Sequence, residues 1–136
     1  MRESRAFRED EIAVALELVD APMEAGYRFF VAEIEGRVAG YACFGATPLT
    51  RGTWDLYWIA VDPSRQRGGI GRALLRAAEQ TILAEGGRML LVETAGKGSY
   101  ASTRTMYEAC DYREVARVPN FYEEGDDKVI YARVLG

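Results

Sequence analysis

The stretch from Trp54 to Glu85 constrains this chain more than any other. An apolar run, WDLYWIAV at 54–61, is broken by Pro63, followed by the glycine-dense QRGGIG at 66–71, and then by Leu74, Leu75, Ala78 and Ile82 at helical spacing up to Gly86 and Gly87. The run is apolar on nearly both faces and reads as a central, covered strand. Where such a strand turns into a helix, backbone N–H groups converge and the positive end of the helix points outward, so an anion is expected there. Gly68, Gly69 and Gly71 let the backbone approach a diphosphate without interference from a Cβ, and Arg65, Arg67 and Arg72 add positive charge. The competing reading is a tight turn in which the glycines only relieve crowding, because a single glycine cluster is a weak signal.

The rest of the chain fits around this unit. Residues 8–20 place Ile12, Leu16 and Val19 at helical spacing behind an acidic first turn, and Pro22 follows as a stop, which predicts a helix. Residues 27–34 and 37–46 predict two antiparallel strands, with Glu35-Gly36 between them as hairpin turn chemistry. RMLLVET at 88–94 predicts a buried strand, 100–110 a helix, and 112–118 with 128–134 a closing strand pair joined by the acidic EEGDDK loop. With no repeat, linker or low-complexity segment, residues 1–136 read as one α/β domain with a mixed sheet.

Composition removes whole classes of chemistry. The chain has no histidine, so nucleophiles activated by histidine, HExxH zinc sites and histidine general bases are all excluded. Its two cysteines, Cys43 and Cys110, are too few for a disulfide framework or a cysteine metal cluster and read as packing residues, and no metal is expected. A net charge of -4 argues against binding nucleic acid, which requires a basic surface, and favours cationic small molecules as partners. No apolar run reaches membrane length, and MRESRAFRED lacks a signal-peptide core, so no membrane is expected and the cytoplasm is the default location.

Two phosphate motifs can be tested directly. The dinucleotide GxGxxG spacing cannot be threaded through Gly68, Gly69 and Gly71. A Walker loop fails at Gly98, which follows Gly96-Lys97 where Ser or Thr is required, and at Leu91, where its first glycine would stand. IAVDPSRQRGGIGRALL at 59–75, however, resembles the coenzyme A signature of the GNAT (GCN5-related) N-acetyltransferases: Gln or Arg, two residues, Gly, one residue, then Gly or Ala, filled by Gln66, Gly69 and Gly71. The likeness continues through LLVET and through TMYEACDY, which is similar to the family's closing tyrosine segment.

The resemblance implies a GNAT-like α/β (α+β) fold with a mixed, mostly antiparallel sheet flanked by helices. It also implies direct transfer of an acetyl group from acetyl-CoA to an amine in a ternary complex, with pantetheine between splayed central strands. The cofactor-binding set it implies is the backbone of Ile59, Ala60 and Val61, then Gln66, Arg67, Gly68, Gly69, Ile70, Gly71 and Arg72, with Ser102 from the later helix. Tyr107 falls at the family's tyrosine, and a phenol can protonate a thiolate leaving group. Asp55 and Glu93 are carboxylate candidates for the base, although Asp55 also suits a loop cap and Glu93 an ion pair with an arginine. Acceptor selection is expected in Phe29, Phe30, Tyr41, the 47–53 loop and the 119–127 loop, whose Glu123, Glu124, Asp126 and Asp127 attract a cation or form only a solvated turn.

Three departures from the family pattern stand out. Tyr100 occupies the position of an Asn that commonly contacts coenzyme A. Cys110-Asp111 replaces the Leu-Gly that ends the tyrosine helix, and Asp is one of the few residues besides glycine that accepts the left-handed turn required there. Only seven residues precede the predicted 8–20 helix, so the family's first strand is expected to be missing, with a homodimer across the resulting edge as one outcome. The expected partner is a small-molecule or peptide amine. The rival readings are an acyl-CoA-binding or regulatory module without turnover and a nucleotide or polyphosphate binder.

Overall fold

The computed structural model describes residues 2–9, 12–20, 27–65, 69–96 and 101–136, with side chains described for 16–19, 27–65, 69–96 and 103–136. Its strands are β1 (Arg2–Glu9), β2 (Ile12–Asp20), β3 (Arg28–Ile34), β4 (Arg37–Ala46), β5 (Thr53–Val61), β6 (Met89–Ala95), β7 (Arg113–Glu123) and β8 (Asp126–Val134). Helix α1 (Ile70–Ala84) joins β5 to β6, and α2 (Ala101–Ala109) lies between β6 and β7. The eight strands form one sheet in the order β1-β2-β3-β4-β5-β6-β8-β7. Among the described residues only the β5/β6 pair is parallel, as a strand–helix–strand crossover requires.

The helix expected over 8–20 is not formed: Arg8 and Glu9 end β1, and Ile12–Asp20 is strand β2. Ile12, Val14, Leu16 and Leu18 also recur at every second residue, and that period prevails: Leu16 and Leu18 are buried, while β2 ladders to β3 from Val14↔Ile34 to Asp20↔Arg28. Pairing with β3 satisfies a row of backbone groups that a helix would leave exposed at the sheet edge. The sheet thus carries N-terminal strands, with β1 at its margin.

The other elements fall close to where the sequence places them, except that the last two strands run on through 119–127. Glu35 (φ 52°) and Gly36 (φ 78°) make the tight hairpin turn. The core is formed by Phe30, Phe44, Trp54, Leu56, Leu90 and Val92 of the sheet beneath Ile70, Leu74, Leu75, Ala78 and Ile82 of α1. Phe30 stacks on Phe44 with ring centroids 6.0 Å apart and is fully buried, so this expected acceptor contact is a core residue. Cys43 and Cys110 are buried free thiols. At Gly87 an added Cβ would lie 2.8 Å from the Trp54 indole nitrogen and closer still to Ile82, so only glycine lets β6 leave α1 at this point. Among the described residues no helix is long and apolar enough to cross a membrane.

Candidate active site

The site originates in a fault in β5. Cys43 of β4 pairs with Trp58 but its neighbour Phe44 pairs with Leu56, leaving Tyr57 as an extra residue, a β-bulge. The bulge shifts the phase of the strand. Before it Trp54 and Leu56 enter the core, whereas after it Ile59 and Val61 pack against the core and Trp58 is turned out, 48% exposed. The parallel ladder to β6 ends at the same place, with Leu56↔Val92 its last pair. Beyond it β5 continues to Val61 and β6 to Ala95, out of register with each other. The expectation of a strand covered throughout therefore holds for the first half of β5 and fails for the second.

A cleft of about 470 Å³ opens at this divergence. Tyr57, Trp58 and Ile59 form its β5 side, and Glu93, Thr94 and Ala95 its β6 side. Thr103 and Tyr107 of α2 close one end, with Tyr122 of β7 and Asp126 of β8 contributing from the last hairpin. Tyr107 is 3% exposed, its ring 5.9 Å from that of Tyr112 and 6.2 Å from that of Tyr131. Burial pushes its phenol well above the ordinary tyrosine value, with a smaller push from Cys110, so the hydroxyl holds its proton.

The two carboxylate candidates part company. Glu93 lines the cleft, its side chain 54% exposed, and pairs with Lys128 Nζ at 2.7 Å, a lysine rather than the arginine expected. Asp55 is not among the lining residues; its Oδ2 accepts a 2.7 Å hydrogen bond from the Thr47 hydroxyl, which ties the 47–53 loop to the start of β5.

At the head of α1, Gly69 adopts φ 85°, a left-handed conformation natural to glycine, and no side chain caps the turn. The Gly69 carbonyl accepts from Ala73 N–H at 3.0 Å, so the helical ladder begins there and the N–H groups of Ile70, Gly71 and Arg72 have no partner within the helix. Arg72 is exposed beside it, and Arg65 is half-buried in the short 3-10 turn Pro63–Arg65. The Ile70 side chain is 1% exposed, which leaves only its backbone for a ligand. Gly71 has a packing reason of its own, since an added Cβ would meet Met106 Sδ of α2 at 3.0 Å. Gln66, Arg67 and Gly68 lie outside the described residues, as does Tyr100, and so does the Ser102 side chain.

Residues 119–127 are a hairpin end rather than an open loop. The β7/β8 ladder jumps from Val118↔Lys128 to Glu123↔Asp126, so Pro119 to Tyr122 leave the register, with Asn120 at φ 57°. Asp127 fixes this excursion, accepting from Arg117 Nη1 and from the Asn120 N–H, both at 3.0 Å. These bonds, the Asn120 contact first, hold its carboxyl below the usual range. Of the four acidic residues proposed to draw in a cation, only Asp126 reaches the cleft. Phe29 and Tyr41 do not line it, and sequence reasoning did not single out Tyr57, Trp58, Thr103 or Tyr122, which do.

A bulged strand parts from its parallel neighbour beside a glycine-led helix mouth, an arrangement that offers space for an extended ligand and backbone N–H groups for an anion. The acetyltransferase (GNAT) domain family matches residues 25–114, and the chain belongs to that family. It is 31% identical over 102 residues to an uncharacterized N-acetyltransferase of Methanocaldococcus jannaschii, covering 75% of this chain and 63% of that protein. It is 32% identical over 87 residues to the ribosomal protein bS18-alanine N-acetyltransferase of Escherichia coli, covering 64% of this chain and 57% of that one. The chain thus spans less than two thirds of the length of these relatives. A crystal structure assigned to the GNAT family from Desulfovibrio desulfuricans superimposes with a TM-score of 0.79 at 48% identity, covering 82% of this chain and 70% of the other.

Proposed function

We propose that this chain is an N-acetyltransferase that uses acetyl-CoA to acetylate a primary amine of a small molecule, amino acid or peptide by direct attack with both substrates bound. The observation that carries the reading is the parting of β5 from β6 after Leu56↔Val92, with Tyr107 in the wall of the resulting cleft. When bound, acetyl-CoA supplies an activated acetyl thioester. The strand edge at Ile59, Ala60 and Val61 suits an extended pantetheine arm and the polarisation of its carbonyl by backbone N–H, and Gly69 to Arg72 suit the diphosphate. Gln66, Arg67, Gly68 and Ser102 complete the proposed cofactor set.

Tyr107, kept neutral by burial, would supply the proton that a departing thiolate sulfur takes up after the amine has added to the thioester carbonyl. Glu93 takes the amine proton directly or through water, and its place in the cleft favours it over Asp55, whose carboxylate holds a loop. An amine panel assayed with acetyl-CoA by release of free thiol tests the reading. The E. coli relative is named for acetylating an alanine of ribosomal protein bS18, so peptides with free N-termini belong in the panel beside polyamines and amino acids. Thiol release dependent on an amine is expected. Coenzyme A binding without turnover on any amine would overturn it.

A further inference from the structure

Outside the cleft, the least ordinary group in the molecule is Glu79. It sits on the third turn of α1, only 4% exposed, where an apolar residue would satisfy the helix pattern. Both of its oxygens are engaged. Oε1 accepts from Arg76 Nη1 and Arg133 Nη1, each at 2.8 Å, and Oε2 accepts from the Tyr112 hydroxyl at 2.5 Å. Three donors from α1, β8 and the α2–β7 corner therefore converge on one carboxylate.

The third donor connects this group to the chemistry. Tyr112 follows Asp111, whose φ of 72° ends α2 in the left-handed turn, and the Tyr112 N–H donates to the Tyr107 carbonyl at 3.0 Å. The same carbonyl accepts from the Cys110 N–H at 3.0 Å, and the two tyrosine rings touch. Arg133 Nη2 lies 3.9 Å from Asp111 Oδ2, which braces the corner from β8. A rigid path thus runs from the helix that begins at Gly69, through Glu79 and Tyr112, to the backbone and ring of Tyr107.

We propose that Glu79 is a positioning residue, acting through the Tyr112 hydroxyl to fix the Tyr107 phenol relative to α1 and so to the ligand that α1 holds. The assignment rests on the proposed role of Tyr107 as proton donor. A buried carboxylate that only stabilised the fold would need no particular tie to the helix end that carries the acid. Displacing a catalytic group by about 1 Å can cost as much as about 100-fold in rate, so a modest loosening is readable in kinetics.

Tyr112→Phe removes one hydroxyl and keeps the ring. It is expected to lower kcat about five-fold while the KM for acetyl-CoA stays within about two-fold, because only the placement of the acid changes. Glu79→Gln keeps a partner for that hydroxyl, which can accept from the amide NH2, so its kcat should fall less than that of Tyr112→Phe, again with KM unchanged. In a double-mutant cycle, Tyr107→Phe with Tyr112→Phe should be no slower than Tyr107→Phe alone, since a displaced donor cannot matter once it is absent. Melting curves on each variant restrict the kinetics to folded protein. Wild-type kcat in folded Tyr112→Phe, or losses that multiply in the double variant, would overturn the positioning role and leave Tyr107 as the acid. If Tyr107→Phe alone keeps the full rate, the acid assignment and this inference fall together, while the cofactor reading stands on its own binding data.

Discussion

From Trp54 to Leu56, β5 is paired with β4 on one side and β6 on the other, whereas beyond the bulged Tyr57 the residues Trp58 to Val61 are in register with β4 alone among the described strands. The first half buries Trp54 and Leu56 and belongs to the core; the second leaves Tyr57 and Trp58 at 37% and 48% exposure at the mouth of a cleft. Hydrophobicity does not explain this, since Thr53 and Asp55 stand in the sealed half and Tyr57–Val61 is the more apolar of the two. What separates them is one bulged residue, and the lesson is that ladder geometry assigns stability to one end of the strand and ligand space to the other. Changes in the open half and its neighbouring helix mouth should damage binding and rate, while changes in the sealed half should damage folding.

The largest expected effect is on the open side. Gly69→Glu forces a side chain into a left-handed position at the helix mouth and sets a carboxylate against a diphosphate. Two like charges about 4 Å apart near a surface repel by about 4 kcal/mol, roughly 1000-fold in affinity. Calorimetry with coenzyme A should therefore register no binding, while Gly69, being exposed, lets the fold survive. Unaltered affinity would remove the helix mouth from the site.

The matching break on the sealed side is Leu90→Ala. Leu90 is fully buried on β6 opposite Trp54 in the part of the ladder that stays closed, and such truncations cost about 2–5 kcal/mol. Chemical denaturation should show that loss, with coenzyme A affinity intact in the folded fraction. A Leu90→Ala protein of normal stability but poor affinity would mean that the two halves are not separable.

Tyr107→Phe should lower kcat about ten-fold or more with little change in acetyl-CoA affinity, as loss of a proton donor requires. The pH dependence follows from the same burial. Because the phenol is raised above its ordinary value, it stays protonated through the usual tyrosine range near 10, so kcat should not decline at that pH for want of the acid. The stability sign is the same for Tyr107 and Tyr112. Both are raised in the folded state, so their contribution is whole below about 10, the unfolded value, and is lost as pH climbs above it. In alkaline titrations compared between wild type and the Tyr107→Phe and Tyr112→Phe variants, tyrosinate absorbance lost only from the phase that accompanies unfolding would bear this out, and loss from an earlier phase would refute it.

How much of this could be read beforehand depends on which signals were local. The strand–turn–helix at Gly69, the hairpin at Glu35-Gly36 and the left-handed Asp111 were legible because each rests on backbone preferences of adjacent residues. The N-terminal helix was misread because Ile12, Leu16 and Val19 fit a helical period while the even-numbered residues fit a strand, and the deciding partner, β3, is distant in sequence. The bulge at Tyr57 was invisible because an unbroken apolar run hides a change of phase. Tyr122 lies within the 119–127 segment expected to select the acceptor but was not singled out there, because it reaches the cleft where Pro119 to Tyr122 leave the ladder. Glu79 carried a faint signal, a lone acid on the apolar stripe of α1, but its partners come from three other points of the chain.

The finest test of the contrast sets its two carboxylates against each other. Glu93 stands in the open half and its exposed pair with Lys128 is worth at most about 1 kcal/mol, so Glu93→Gln should leave stability nearly unchanged. Its effect should fall on turnover, largest at low pH, where the amine is most protonated and most in need of a base. Asp55 belongs to the sealed half, where its bond is to the Thr47 hydroxyl, and the amide oxygen of Asn can accept that bond equally well. Asp55→Asn should therefore change kcat/KM by less than about two-fold, about 0.4 kcal/mol, the smallest effect in the series. Steady-state rates on the pair decide the matter: a large loss at Asp55 with none at Glu93 would move the proton acceptor across the bulge and out of the cleft.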